Sequence, residues 1–146
     1  MVVYPKSRPL SLAKQMLALR RSFPQSECSL NRSRLHWRAT LSPTPMSDSY
    51  TVTLKYSLEM PPIVRVENPV LMERDDEALP HIYPDGSLCL YYPSAGEFSR
   101  DRYLASTIVP WTSEWLLHYE LWYVTGDWLG GGIHPGESRP VRYDEL

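Results

Sequence analysis

Net charge, cysteine and long apolar runs are all scarce in this chain, and each scarcity removes a class of function. The formal charge is only −2 over 146 residues, too small to suit a general nucleic-acid or anionic-membrane binder. Two cysteines, Cys28 and Cys89, make no disulfide framework of the kind that holds small secreted domains together. No uncharged apolar run approaches the roughly 20 residues that span a bilayer. The stretch Leu10 to Leu19 is interrupted by Lys14 and Gln15 and lacks the small-residue cleavage site of a secretory leader. The closing Asp144-Glu145-Leu146 follows Tyr143 and does not complete an ER-retention signal. The expectation is a soluble, cytoplasmic protein of a reducing compartment, with neither nucleic acid nor membrane as a partner. At this length one domain, residues 1–146, is expected to bury its own core.

Phenylalanine is also scarce, at 2, whereas tyrosine, tryptophan and proline number 10, 5 and 14. Prolines stiffen loops, and Tyr and Trp suit half-buried positions where a ring packs while its polar atom finds a partner. Leu10 to Phe23 has apolar residues at three- and four-residue steps and is stopped by Pro24, which predicts a helix whose other side, with Lys14, Arg20 and Arg21, is basic. Arg34 to Leu41 alternates, with Leu35, Trp37, Ala39 and Leu41 inward and His36 on the wet side. Tyr50 to Leu58 alternates again, and Pro61-Pro62 leads into a short third strand, Ile63 to Val66. Three such strands joined by polar loops predict an antiparallel meander covered on one face by a helix.

Beyond Asn68-Pro69 the period is lost. Glu73 to Glu77 reads as a charged, mobile surface segment, and Leu79 to about Phe98 is rich in Pro, Gly and Tyr. A long irregular stretch inside a compact domain usually has a functional reason. Asp101 to Val109 suggests one short helix. A stronger helix is expected from about Thr112 to Val124, opened by Pro110 and ended by Gly126. On it Glu114 and His118 stand one turn apart and are expected to pair by charge. Trp128-Leu129-Gly130-Gly131-Gly132-Ile133-His134-Pro135 reads as a flexible turn.

The irregular stretch carries His81-Ile82-Tyr83-Pro84-Asp85-Gly86-Ser87-Leu88-Cys89-Leu90-Tyr91. A thiol set just past a turn, with an imidazole upstream, is one way to present a nucleophile with a base beside it. The alternative is that Cys89 is a small buried hydrophobe. The triple glycine lacks the Gly-Lys-Ser/Thr of a phosphate loop, and one His, one Cys and the distant His134 lack the paired spacing of a zinc centre. No metal or cofactor is expected. A papain-like protease needs its cysteine at the start of a helix, and none begins at Cys89.

An amino-terminal helix, a meander, an extended loop with His81, then Gly86-Ser87-Leu88-Cys89-Leu90, and Trp111 with helices beyond: this order resembles the ubiquitin-conjugating enzyme fold. Pro62-Ile63-Val64-Arg65-Val66, His81 and Gly86 to Leu90 carry the resemblance. It departs at one point, since the eukaryotic His-Pro-Asn is here His81-Ile82-Tyr83, with no asparagine at Tyr83. The later run Trp115-Leu116-Leu117-His118-Tyr119-Glu120-Leu121-Trp122, with Thr125-Gly126-Asp127-Trp128-Leu129-Gly130-Gly131, is similar to the ubiquitin-conjugating-like proteins of CBASS antiphage operons, in their short, stand-alone form.

The resemblance implies an α+β fold with C-terminal helices after the active-site loop. It implies a conjugating transferase in which Cys89 forms a thioester with a partner's carboxy terminus, His81 assists, and the acyl group passes to an amine. The implied partner is a cGAS-like nucleotidyltransferase or a ubiquitin-like protein. Asp85 is the nearest carboxylate, either an orienting group or an Asx-turn former. Backbone N–H groups from Gly86 to Leu90 are the expected oxyanion donors. Tyr83, Tyr91, Tyr92 and Pro93 either flank a groove or simply pack the loop. The rival functions are a non-catalytic binding module on the same fold and a cysteine hydrolase acting on a carboxy-terminal peptide.

Overall fold

A computed structural model describes residues 8–92 and 95–130. Along the chain lie helix α1 (Leu12–Ser22), strands β1 (Glu27–Asn31), β2 (Arg34–Leu41), β3 (Tyr50–Tyr56) and β4 (Ile63–Asn68), a 3-10 turn at Leu104–Ser106, and helix α2 (Ile108–Thr125). The strands form one antiparallel sheet in the order β1-β2-β3-β4. This is the expected α+β class, and the order is consistent with a ubiquitin-conjugating-like fold.

The alternation in the sequence becomes the pleat of the sheet. Leu35 and Trp37 from β2, Tyr50, Val52, Leu54 and Tyr56 from β3, and Val64 from β4 are buried in one core with Ile108, Trp115, Leu116, Tyr119 and Trp122 of α2. Tyr50 ties the two layers, its ring edge-on to Tyr119 and its hydroxyl donating to Glu120 at 2.8 Å. Leu58, the last residue of the expected alternating run and in step with inward Tyr50, lies past the end of β3 and is exposed.

The meander has four strands rather than three. β1 pairs with β2 through a two-residue turn in which Arg32 and Ser33 both have positive φ, +49° and +68°. Tight hairpins of this kind usually announce themselves with Asn-Gly or Asp-Gly, and Arg-Ser gives no such signal. Along β1 only Cys28 is buried, as befits an edge strand, so its alternation is also weak.

Helix α1 is capped by Ser11, whose hydroxyl accepts from the Lys14 N–H at 3.2 Å. Its buried line is Gln15 and Leu19, while Leu17 is exposed. Gln15 is fully buried because its amide completes backbone pairs elsewhere: it donates to the Arg102 carbonyl at 3.0 Å and accepts from the Leu104 N–H at 2.9 Å. Gln15→Leu should therefore lower unfolding free energy by about 1–3 kcal/mol, since both backbone groups lose their partner. Urea denaturation midpoints of the two proteins measure this directly.

At the other end, the separate helices expected around Asp101–Val109 and Thr112–Val124 are replaced by the 3-10 turn and one helix beginning at Ile108. Pro110 is the third residue of α2, where a missing N–H forfeits no intrahelical bond. Gly126 ends the helix at φ +83°, its N–H bonded to the Trp122 carbonyl at 2.7 Å. The charged segment at 73–77 is fastened to this end, against the mobile surface stretch expected. Arg74 donates to the Trp122 and Tyr123 carbonyls, and the Trp122 indole donates to Glu77 at 3.1 Å. A basic side chain suits these carbonyls, the negative end of the helix dipole. No helix among the described residues is long and apolar enough to cross a membrane.

Candidate functional site

The segment around Cys89 folds as a short two-stranded ribbon. Ile82 and Leu88 form an antiparallel bridge, so His81 lies opposite Cys89 and Tyr83 opposite Ser87. The Cys89 N–H donates to the His81 carbonyl at 3.0 Å and the Tyr83 N–H to the Ser87 carbonyl at 2.8 Å. Pro84-Asp85-Gly86 makes the tip, with Gly86 at φ +87° and its N–H on the Tyr83 carbonyl. Asp85 is a turn former: one carboxylate oxygen accepts from both the N–H and the hydroxyl of Ser87, at 2.9 and 2.6 Å. Its other oxygen meets Arg65 at 3.1 Å. These Ser87 bonds first, and Arg65 after them, hold the Asp85 carboxyl below the ordinary carboxylate range.

Two anchors fix the ribbon to the fold. The Leu88 N–H donates to the Val64 carbonyl at 2.9 Å, extending the sheet past β4. The Trp115 indole of α2 donates to the His81 carbonyl at 2.9 Å, so this one carbonyl holds both the helix and the Cys89 amide. His81 adopts φ +52° to do so, a left-handed conformation uncommon for a residue with a Cβ. The positions of His81 and Cys89 are thus set by backbone bonds as well as by side chains.

The two cysteines have different surroundings. Cys28 is buried in β1, whereas Cys89 is half-buried at the ribbon's edge, its sulfur 3.9 Å from the Tyr91 carbonyl oxygen. Burial pushes the Cys89 thiol up, the hydrogen bond from the Tyr83 hydroxyl pulls it down, and nearby Glu97 pushes it up again; on balance it is raised. Tyr83 is raised as well, first by burial and then by its bond to Cys89, so the phenol keeps its proton.

The His81 ring stacks on Trp128, with centroids 4.9 Å apart. Trp128 follows the Gly126 cap and also packs on Trp115 and His118. The expected Glu114–His118 charge pair does not govern His118: burial lowers its pKa, the pull of Glu114 is the smaller effect, and its buried Nδ1 has no hydrogen-bond partner among the described residues. The structural place of Trp128 was missed in the sequence, where it read as part of a flexible turn. The signal available was an aromatic residue two positions past a left-handed helix cap.

Four of the five expected oxyanion donors, all but Leu90, need correction. The amides of Gly86, Ser87, Leu88 and Cys89 are committed to Tyr83, Asp85, Val64 and His81 respectively. Tyr91 packs against Trp111 and Phe98, and Tyr92 is exposed. Trp111 lies within α2 rather than ahead of it. Pro93 and the segment from Gly131 through His134 to the carboxy terminus lie outside the described residues. Among the described residues no group of three His, Cys, Asp or Glu side chains could hold a metal ion.

A half-buried cysteine with a fixed backbone, a phenol on its sulfur and a histidine opposite it can act as a nucleophile. A family model described as Type II CBASS E2 protein matches residues 15–135, a span that includes His81, Tyr83 and Cys89. No curated protein gives a significant match.

Proposed function

The chain belongs to the Type II CBASS E2 family, and from that premise we propose that it is a thioester-forming conjugating enzyme with Cys89 as nucleophile and His81 as its assistant. Membership of the family gives it a role in CBASS antiphage defence. The observation that carries the finer reading is Cys89 itself, partly open to solvent and pinned by its own N–H to the His81 carbonyl.

The cargo in this reading is the carboxy-terminal glycine of a partner, the cGAS-like nucleotidyltransferase of the operon or a ubiquitin-like protein. It arrives as an activated acyl group, an acyl-adenylate or a carrier thioester. The Cys89 sulfur attacks the carbonyl carbon, the S–C bond forms, and the bond to the phosphate oxygen or carrier sulfur breaks. The thiol proton passes to the His81 imidazole. An acceptor amine then attacks the thioester: C–N forms, C–S breaks, Cys89 leaves as thiolate, and the surplus proton of the amine goes to solvent. A raised thiol pKa leaves less thiolate at neutral pH and makes sulfur a poorer leaving group, so in this reading attack depends on His81 taking the proton.

Non-reducing electrophoresis and intact-mass measurement of the chain co-expressed with its neighbouring nucleotidyltransferase test the reading. An adduct of the summed masses less one water, released by thiol reductant, supports it; a disulfide would lose two hydrogens instead. Absence of any such species while the two proteins still co-purify would instead favour a binding module.

His81→Asn separates the two parts of this residue. Asparagine accepts a left-handed backbone more readily than most residues do, so the carbonyl that holds Cys89 is retained. Loss of the imidazole should slow thioester formation by about 10²-fold or more, read as single-turnover rates against pH. An unchanged rate would reduce His81 to its carbonyl.

A further inference from the structure

Four of the five backbone donors expected for the reacting carbonyl, those of Gly86 to Cys89, are committed within the fold, and the Tyr83 hydroxyl bonds the Cys89 sulfur. Asp85 is held by Ser87 and Arg65. Tyr83 stands two residues from His81 on the opposing limb, diagonal to Cys89 by the Ile82–Leu88 register. Diagonal neighbours in an antiparallel pair lie roughly 7–8 Å apart, within reach of an aromatic side chain. We propose that the Tyr83 hydroxyl is the catalytic hydrogen-bond donor of this site, holding the Cys89 thiolate before attack and the carbonyl oxyanion of the acyl group after it.

The chemistry needs no proton transfer from the phenol. In the thiolate, Tyr83 O–H donates to sulfur. When the S–C bond forms, the negative charge moves from sulfur to the adjacent carbonyl oxygen, and the same O–H follows it across one bond's length. It returns to sulfur when the oxyanion collapses and the leaving group departs. A donor of this kind must stay protonated throughout, and the surroundings of Tyr83 hold its proton more firmly than those of an ordinary phenol. The oxyanion half of the proposal rests on the reading of Cys89 as an acyl acceptor.

Two small reagents separate the two halves without any partner protein. Iodoacetamide alkylates sulfur at a saturated carbon and builds no oxyanion; p-nitrophenyl acetate acylates it through one. Each is followed at Cys89 by peptide mass, for the full chain and for Tyr83→Phe, from pH 6 to 10. Tyr83→Phe should move the alkylation profile to higher pH and slow alkylation at neutral pH by roughly 3–10-fold. Acylation should fall much further, by about 10²-fold, the usual consequence of removing one oxyanion donor. Equal falls would confine Tyr83 to the thiolate and overturn the oxyanion role, and unchanged rates would overturn both.

Buried Cys28 serves as the folding reporter in the same maps. Should Tyr83→Phe render it reactive, 3-fluorotyrosine in place of Tyr83 gives the second comparison. Its more acidic phenol must raise acylation relative to alkylation, and a ratio no higher than that of the wild type overturns the proposal. A chain that acylates normally with the small ester yet forms no adduct with its nucleotidyltransferase would count against the proposed function and leave this inference standing.

Discussion

Cys89→Ala is expected to abolish the thiol-labile adduct of the proposed reaction altogether while leaving the fold and any non-covalent association in place. The sulfur is the only atom of Cys89 that the proposed chemistry uses; the N–H that bonds the His81 carbonyl survives the change. Cys89 is half-buried, so a methyl in its place opens no sealed cavity, and the expected stability change is within about 1 kcal/mol. Intact mass and non-reducing electrophoresis of co-expressed wild type and variant give the answer. Cys28 acts as the matched control: buried in β1, with its thiol pushed up mainly by burial, it should give Cys28→Ala an undiminished adduct. Were the adduct to persist in Cys89→Ala, the nucleophile would lie elsewhere and the reading of this site would be wrong. A hydrolase would differ in the wild type, releasing its product to water with no long-lived species.

Trp122→Ala is expected to cost the most stability of any single truncation among the described residues. The side chain is fully buried in the shared core, and truncating a buried Trp typically costs about 3–5 kcal/mol. Its indole N–H also donates to Glu77, and its carbonyl receives both the Gly126 N–H and Arg74. The truncation therefore removes the ring that fastens residues 73–77 to the end of α2. For a domain of this size the loss corresponds to roughly 10–20 °C in melting temperature, readable by calorimetry. Trp122→Phe keeps most of the apolar contact and loses only the donor, so it should fall by about 1–2 kcal/mol. Equal melting temperatures for Trp122→Phe and Trp122→Ala would assign the whole effect to the Glu77 bond instead of the core.

What the sequence made legible follows from how locally each feature is encoded. The β2 and β3 strands showed themselves because Leu35, Trp37, Val52 and Leu54 repeat every second residue and share one buried face. Gly126 was readable as a helix cap because only its immediate neighbours decide it. Strand β1 was not, since its pairing depends on a left-handed Arg32-Ser33 turn that those residue types do not advertise. Gln15 was hidden for a different reason: its burial is made possible by backbone groups at Arg102 and Leu104, more than 80 residues away. At the site, the motif residues His81 and Cys89 were visible as types. The left-handed φ of His81, its stacking on Trp128 and the hydroxyl of Tyr83 on the sulfur all depend on side chains brought together by α2 and the ribbon.

The anchoring of the ribbon has a thermodynamic consequence for whatever docks there. Its amides from Gly86 to Cys89 already have partners, so the loop has little conformational entropy left to lose on engagement. The ordering penalty of complex formation then falls on the incoming tail alone, at about 1–2 kcal/mol for each backbone residue immobilised. In the proposed reaction, a carboxy-terminal tail that is already stiff before it arrives would therefore bind this site more tightly than a flexible one with the same contacts.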